Sequence, residues 1–311
     1  MTDNTRSVRI WRQIRNVVML LLLPVTAITM SGEIKNYVID GIRLCAMCVI
    51  PSTFPFMILS EYYVEYVNPE DIKPLAYIYK KIFGLSPITL RAFICGNVCG
   101  FPIGARLCCK AYSNGLISTE EAAKAIAYSS NVSIPFIIGA VAEGMMGDVN
   151  KGYILLICIY SACIICGLIY SKRPTNYTIS EHKVRQNINF VQVVKRAGIS
   201  CVELSGFIIL FSAVCGTISK HINFEPLSIL LCSAIEITSG LKYITSLQNY
   251  PSLITDFLIG FCSSFGGLCV LMQNKYFTNE VGLSIKKYLA IKLSQGLICG
   301  SLYSVVNLII Y

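Results

Sequence analysis

The sequence predicts an all-α fold: a polytopic transmembrane helical bundle with two loosely repeated halves and re-entrant or broken helices. Three observations lead there. Of 311 residues, 54% are hydrophobic and only 14% are charged, against about a quarter charged in a soluble domain, and the mean hydropathy is +0.62. Apolar runs recur at 17–30, 44–60, 92–105, 126–146, 152–170, 199–218, 226–241, 253–272 and 293–311, with no polar block large enough for a soluble domain. Several of these runs fall short of the ~20 residues that cross the hydrocarbon, or carry glycine and proline in their middles. The chain is therefore read as a single integral membrane domain, 1–311, with a first half at about 17–171, a cytoplasmic linker at about 172–196 and a second half at about 197–311.

The run at 17–30 follows Arg6, Arg9, Arg12 and Arg15, and "TMSGEIKNY" after it lacks a small-residue cleavage site, so it reads as an uncleaved first span. Lys172, Arg173, Lys183, Arg185, Lys195 and Arg196 flank the linker. The positive-inside tendency places the N-terminus and the linker in the cytoplasm of a multi-pass cell-membrane protein. In the next run, "VIPSTFPFMIL" carries Pro51 and Pro55, each of which removes a donor and frees a carbonyl.

"CGNVCGFPIGAR", 95–106, has Gly96, Gly100, Pro102 and Gly104 between Arg91 and Arg106. Backbone groups freed by such breaks cannot face lipid, so the segment is a re-entrant hairpin or a broken helix that is buried or lines a wet cavity. Asn114-Gly115 then marks a turn, and Ser118 with Glu121 fits a capping box that starts the next helix. "SSNVSIPFIIGA" places Asn131 and Pro135 in the middle of the run that follows. "SGFIILFSAV" at 205–214 faintly echoes "SIPFIIGAV" at 133–141, a weak hint of duplication.

Glu236 lies in the apolar run "LLCSAIEITSGLKYI", followed by Thr238, Ser239 and Gly240. A carboxylate at a helix centre in the bilayer costs about 3 kcal/mol, so it is expected to be neutral, paired or facing a cavity. It is either a coupling or solute-binding carboxylate or a structural hydrogen-bond partner. "FLIGFCSSFGGLCVLMQNK" is interrupted at Ser263, Ser264, Gly266 and Gly267 and ends at Gln273. Interrupted hydrophobic segments in corresponding halves point to the substrate site of a secondary transporter; the competing reading is that glycines only let helices pack closely. Arg106 either meets an anionic ligand or snorkels to the headgroups. Lys110 and Lys124 read as anchors, and Glu143 and Asp148 as solvated loop charges.

The net charge of +9 sits at the ends of apolar runs rather than on one face, which argues against nucleic acid. The fifteen cysteines include the CxxC pairs Cys45/Cys48 and Cys163/Cys166, and the only histidines are His182 and His221. In apolar runs these thiols read as small packing residues rather than a metal site or a disulfide framework. No phosphate-binding loop, H-E-x-x-H helix or G-x-S-x-G elbow is present. Neither an enzyme nor a cofactor is expected.

"GNVCGFPIGARLCCKAYSNGLISTEEAAKAIAYSSNVSIPFIIGAV" resembles the signature of the sporulation integral membrane protein YlbJ family, which reads approximately S-G-Y-P-x-G-A-K, then G-x-I-S/T-x-x-E-A, then N-x-S-G-P-x-F-I-x-G-x-V. The likeness continues in "SGFIILFS", in "IEITSG" against E-x-T-x-G, and in "FGGLCVLMQ" against G-F-G-G-x-x-V-x-x-Q, in order over about 40–305. Cys99 and Phe101 stand where the family has serine and tyrosine, Arg106 where it has lysine, and Ile134 where glycine is common. The resemblance implies a likeness to the nucleoside recognition (gate) domain group and, more distantly, to concentrative nucleoside transporters. It also implies an endospore-forming bacterium and movement of dipicolinic acid, a planar dianion, across the outer forespore membrane. Half-helix N-termini would present N–H groups to such an anion, and Arg106 would add a charge-assisted contact.

The expected site thus comprises Asn97, Gly100, Pro102, Gly104, Arg106, Asn131 and Ser133 from the first half, with Glu236, Thr238, Ser264, Gly266, Gly267 and Gln273 from the second. The expected partners are the lipid bilayer and a small anionic solute, with self-association into a homo-oligomer left open. The alternatives are a nucleoside or small-metabolite carrier and a non-transporting scaffold for spore-envelope assembly.

Overall fold

The computed structural model describes residues 31–66, 72–170, 189–247, 250–280, 282 and 284–311. The expected first span at 17–30 with its four arginines, and the linker residues Lys172, Arg173, His182, Lys183 and Arg185, lie outside the described residues. Within them all regular structure is helical, and the chain is an all-α polytopic bundle.

Helix α1, Ser31–Leu44, runs through a π-helical turn at Cys45–Val49 into α2, Ile50–Tyr66. The prolines expected to break this run are absorbed instead. Pro55 sits inside α2, the widened turn lies just before Pro51, and nearby hydroxyls turn back onto carbonyls: Ser52 Oγ donates to Cys48 O at 2.7 Å and Thr53 Oγ1 to Val49 O at 2.8 Å. Local widening and side-chain donors of this kind keep backbone groups satisfied around a proline.

Helix α3, Lys73–Phe83, buries Ala76, Tyr79 and Phe83 and stops at Gly84, whose φ of +63° suits glycine. The chain bends by 100° into Pro87–Cys99, whose main part is α4, Leu90–Cys99. α4 ends at Gly100, and α5, Ile103–Ser113, resumes after Pro102. α6, Thr119–Ser129, starts at Ser118, whose Oγ accepts from Glu121 N at 3.2 Å. The reciprocal half of the capping box is missing, because the buried Glu121 carboxylate accepts from Ser86 N at 2.6 Å and ties α6 to the turn before α4. The backbone is irregular over 130–133 and continues as a π-helix at Phe136–Met146, and α7, Val149–Tyr170, closes the first half.

The second half opens with α8, Phe190–His221, unbroken over 32 residues. α9, Glu225–Ile235, and α10, Ile237–Thr245, are separated at Glu236. α11, Ser252–Phe265, and α12, Gly267–Glu280, are separated at Gly266. α13, Lys286–Ile310, ends the chain.

Leaving aside α3, which only the first half has, each half has a long helix, two interrupted elements and a long helix. In that order the break at Gly100 corresponds to Glu236, and the break at 130–133 to Gly266–Gly267. Position in this order, rather than glycine content, relates the interruptions, so 95–106 and 257–275 are not counterparts. The echo between 133–141 and 205–214 likewise matches a segment just after a break with the middle of unbroken α8.

Among the described residues, five helices are long and apolar enough to cross a membrane: Gly32–Tyr63, Val149–Tyr170, Phe190–His221, Ser252–Asn279 and Lys286–Ile310. Their outer faces carry exposed Met47, Ile157, Leu168, Val202, Leu210 and Leu308, a band that suits lipid rather than water. Long helices of the two halves interlock, α1 on α8 and α7 on α13, while α11 lies along α13. The shorter broken elements are held inside this frame, as the need to satisfy their backbone requires.

Candidate functional site

The first half forms its inner wall where two breaks cross. Gly100 has φ +81°, and a Cβ placed on it would lie 2.9 Å from Ser133 Cβ, so only glycine lets the two breaks touch. One turn to either side, Gly96 and Gly104 press on the end of α6, where a Cβ would lie 1.9 Å and 2.2 Å from the Ser129 carbonyl oxygen. Ser133 Oγ accepts from Phe136 N at 3.3 Å and starts the next helical stretch. Pro102 leads into α5, and its carbonyl accepts from Arg106 N at 3.1 Å.

In the second half Glu236 stands between two helices rather than at the centre of one. Its N–H still bonds to Cys232 O at 2.9 Å, its backbone is extended, and its carboxylate turns onto the next helix. Oε1 accepts from Thr238 N at 2.8 Å and Oε2 from Ser239 N at 2.6 Å. The fully buried carboxylate is thus the N-cap of α10, stabilised by the free N–H groups and the positive end of that helix. The break at 266–267 lies against it, since a Cβ on Gly267 would be 3.0 Å from Ile235 O. The halves meet where a Cβ on Gly266 would be 3.1 Å from Phe101 Cζ.

Between these breaks lies a cavity of about 50 Å³, roomy enough for water. The π-helical turn and α2 contribute Val49 and Thr53; the first-half breaks contribute Cys99, Gly100, Phe101, Val132, Ser133 and Phe136. α8 adds Leu204 and Ile208, and the second-half breaks add Glu236, Ile237, Thr238, Cys269, Val270 and Gln273. The lining is mostly apolar with a few convergent polar groups, the usual make-up of a small-molecule site. One of those groups is unsatisfied: Gln273 Nε2 donates to Cys269 Sγ at 3.4 Å, but buried Oε1 has no hydrogen-bond partner among the described residues.

Of the expected site residues, Gly100, Ser133, Glu236, Thr238 and Gln273 share this cavity. Pro102, Gly104, Gly266 and Gly267 shape the breaks and their close approach without appearing in the lining. Ser264 is buried at the end of α11, outside the lining.

Asn97 and Asn131 face another way, into a buried polar network. Asn131 Nδ2 donates to Asn97 Oδ1 at 2.8 Å, while Asn131 Oδ1 accepts from Lys292 Nζ at 2.8 Å and Gln295 Nε2 at 2.9 Å.

Arg106 differs most from expectation. Its Nη2 donates to Glu61 Oε1, and Arg196 Nη1 lies 3.6 Å from Glu61 Oε2, so α5 carries the guanidinium away from the cavity to a carboxylate on α2. Lys124, read as an anchor, is buried and lies 3.4 Å from Glu120 Oε1. Asp148 Oδ1 accepts from Asn150 N at 2.9 Å, and Glu143 is exposed.

Sequence reasoning missed Thr53, Glu61, Lys292 and Gln295. Lys292 was legible by the rule applied to Glu236, a lone charge in an apolar stretch, but taking the last run from 293 leaves it as a flank. Glu61 carried no local signal, because its partners are 45 and 135 residues away in the sequence. The fifteen free cysteines are mostly buried among apolar neighbours. No family model matches the chain, and neither a curated protein nor a solved structure is significantly similar to it.

Proposed function

We propose that the chain is a membrane carrier that binds a small polar solute in the cavity between the interrupted helices of its two halves and moves it by alternating access. The supporting observation is that the breaks at Gly100, 130–133 and Glu236, with the helix that follows Gly266, line one cavity, where Gln273 Oε1 is buried without a partner among the described residues. Among the described residues the lining offers hydroxyls, an amide and one capped carboxylate, and contains no lysine, arginine or histidine. This donor and acceptor set favours an uncharged, hydrogen-bonding solute such as a nucleoside.

The second reading is the dicarboxylate implied by the likeness to the YlbJ family, with dipicolinic acid carried across the outer forespore membrane. It is favoured by the Arg106 guanidinium, which with Arg196 lies beside Glu61 on α2. In that reading they attract the anion, and one exchanges Glu61 for it as the halves move. Purified full-length protein in liposomes, offered labelled uridine or dipicolinate, tests both. Saturable uridine uptake that Gln273→Leu lowers at least about tenfold supports the first; dipicolinate uptake lost in Arg106→Ala supports the second. If folded wild-type protein takes up neither, the carrier reading falls and the non-transporting scaffold takes its place.

A further inference from the structure

The most unusual group in the molecule lies outside the cavity. Lys292, on α13, is fully buried, and none of the ion pairs among the described residues includes it. A buried ammonium without a carboxylate is costly unless other groups replace its hydration shell. Here the replacements are amide oxygens: Nζ donates to Asn131 Oδ1 at 2.8 Å and to Gln295 Oε1 at 3.0 Å.

The shell is organised beyond these two contacts. Gln295 Nε2 also donates to Asn131 Oδ1, at 2.9 Å. Asn131 Nδ2 is committed to Asn97 Oδ1 and to Tyr128 O, at 2.8 and 3.1 Å, and Asn97 Nδ2 to Phe93 O at 2.7 Å. Every amide N–H₂ in the chain of contacts points away from Lys292, which leaves the amide oxygens of Asn131 and Gln295 pointing at it. Asn131 belongs to the first-half break next to Val132 and Ser133 of the cavity wall, and Gln295 to the second half. Oxygens converging from an unwound segment and a facing helix are the groups that replace water around alkali-metal ions in carriers and channels.

We propose that Asn131 and Gln295 form a monovalent-cation site between the two halves and that the Lys292 ammonium is its tethered, permanent occupant. The protein thereby carries a built-in cation beside the solute cavity and needs no external one at this position. The site does not depend on the carrier reading: it concerns what fills an oxygen-lined space, whichever solute is moved.

Full-length wild-type protein, Lys292→Ala and Lys292→Gln are purified with sodium and n-propylammonium present throughout. Each is then melted in choline chloride, sodium chloride, n-propylammonium chloride or tetramethylammonium chloride at equal ionic strength. Wild type is expected to melt alike in all four salts. Lys292→Ala is expected to melt about 5 °C lower in choline and to regain at least half of that loss, saturably, in propylammonium or sodium but not in the bulkier tetramethylammonium. Adding Asn131→Ala to Lys292→Ala is expected to abolish the recovery.

The proposal is overturned if Lys292→Ala melts like wild type or if its loss is the same in every salt. It is equally overturned if Lys292→Gln, a neutral hydrogen-bond donor, matches wild type in choline. Failure of both variants to fold with the cations present also overturns it, because a free cation in the shell restores the lost contacts.

Discussion

Glu236 distinguishes a carboxylate that holds a helix from one that holds a solute. Its two oxygens accept from Thr238 N and Ser239 N at 2.8 and 2.6 Å in a fully buried position, and each charge-assisted bond contributes about 1.5–3 kcal/mol. Glu236→Gln keeps one acceptor and turns an N–H₂ toward the other backbone N–H, so one bond is lost and a donor is orphaned, a loss of about 1.5–3 kcal/mol. Glu236→Ala removes both bonds and leaves two buried N–H groups unpaired, for about 3–5 kcal/mol. Glu236→Asp retains the acceptors, and aspartate is the better N-cap of a helix, so its loss stays within about 1 kcal/mol.

A solute ligand gives a different order, because shortening the side chain withdraws the carboxylate from the cavity while the amide keeps its reach. The assay is reversible unfolding in mixed micelles, read by loss of helical signal, beside solute uptake at matched protein levels. The capping account predicts stability in the order Glu, Asp, Gln, Ala. Glu236→Gln unfolding together with wild type, or Glu236→Asp being the least stable variant, refutes it.

Other substitutions probe the surroundings. Gly104→Ala and Gly96→Ala each place a Cβ within 2.2 Å of the Ser129 carbonyl oxygen, and both are expected to abolish monodisperse protein in size-exclusion chromatography, while Gly198→Ala, which meets nothing within 4 Å, is tolerated. Gln273→Leu removes an acceptor that is already unsatisfied, so it is expected to raise stability by up to about 1 kcal/mol in the unfolding assay while lowering uptake. Arg106→Ala leaves Glu61 with Arg196 at 3.6 Å, and a double-mutant cycle with Glu61→Ala is expected to give a coupling of about 1–3 kcal/mol, because the carboxylate is buried while the guanidinium stays partly exposed. Glu121→Gln weakens the buried tie to Ser86 N, at 2.6 Å, and is expected to cost about 1–3 kcal/mol.

The sequence by itself determined the class of the molecule and three of its helix breaks. Long runs of apolar side chains have few stable environments besides lipid, and glycine and proline act through local backbone geometry, so the breaks near Gly100, Asn131 and Gly266 were readable residue by residue. The cap at Ser118 was local in the same sense. Tertiary structure decided everything that depends on which residues face each other. It gave Glu236 the end of a helix instead of its middle, joined Arg106 to Glu61 across 45 residues, and turned Asn97 and Asn131 away from the cavity toward Lys292, 161 residues beyond Asn131. A polar side chain in an apolar run signals only that it must find a partner. Which partner it finds is fixed by the packing of helices far apart in the chain, and no local pattern records that.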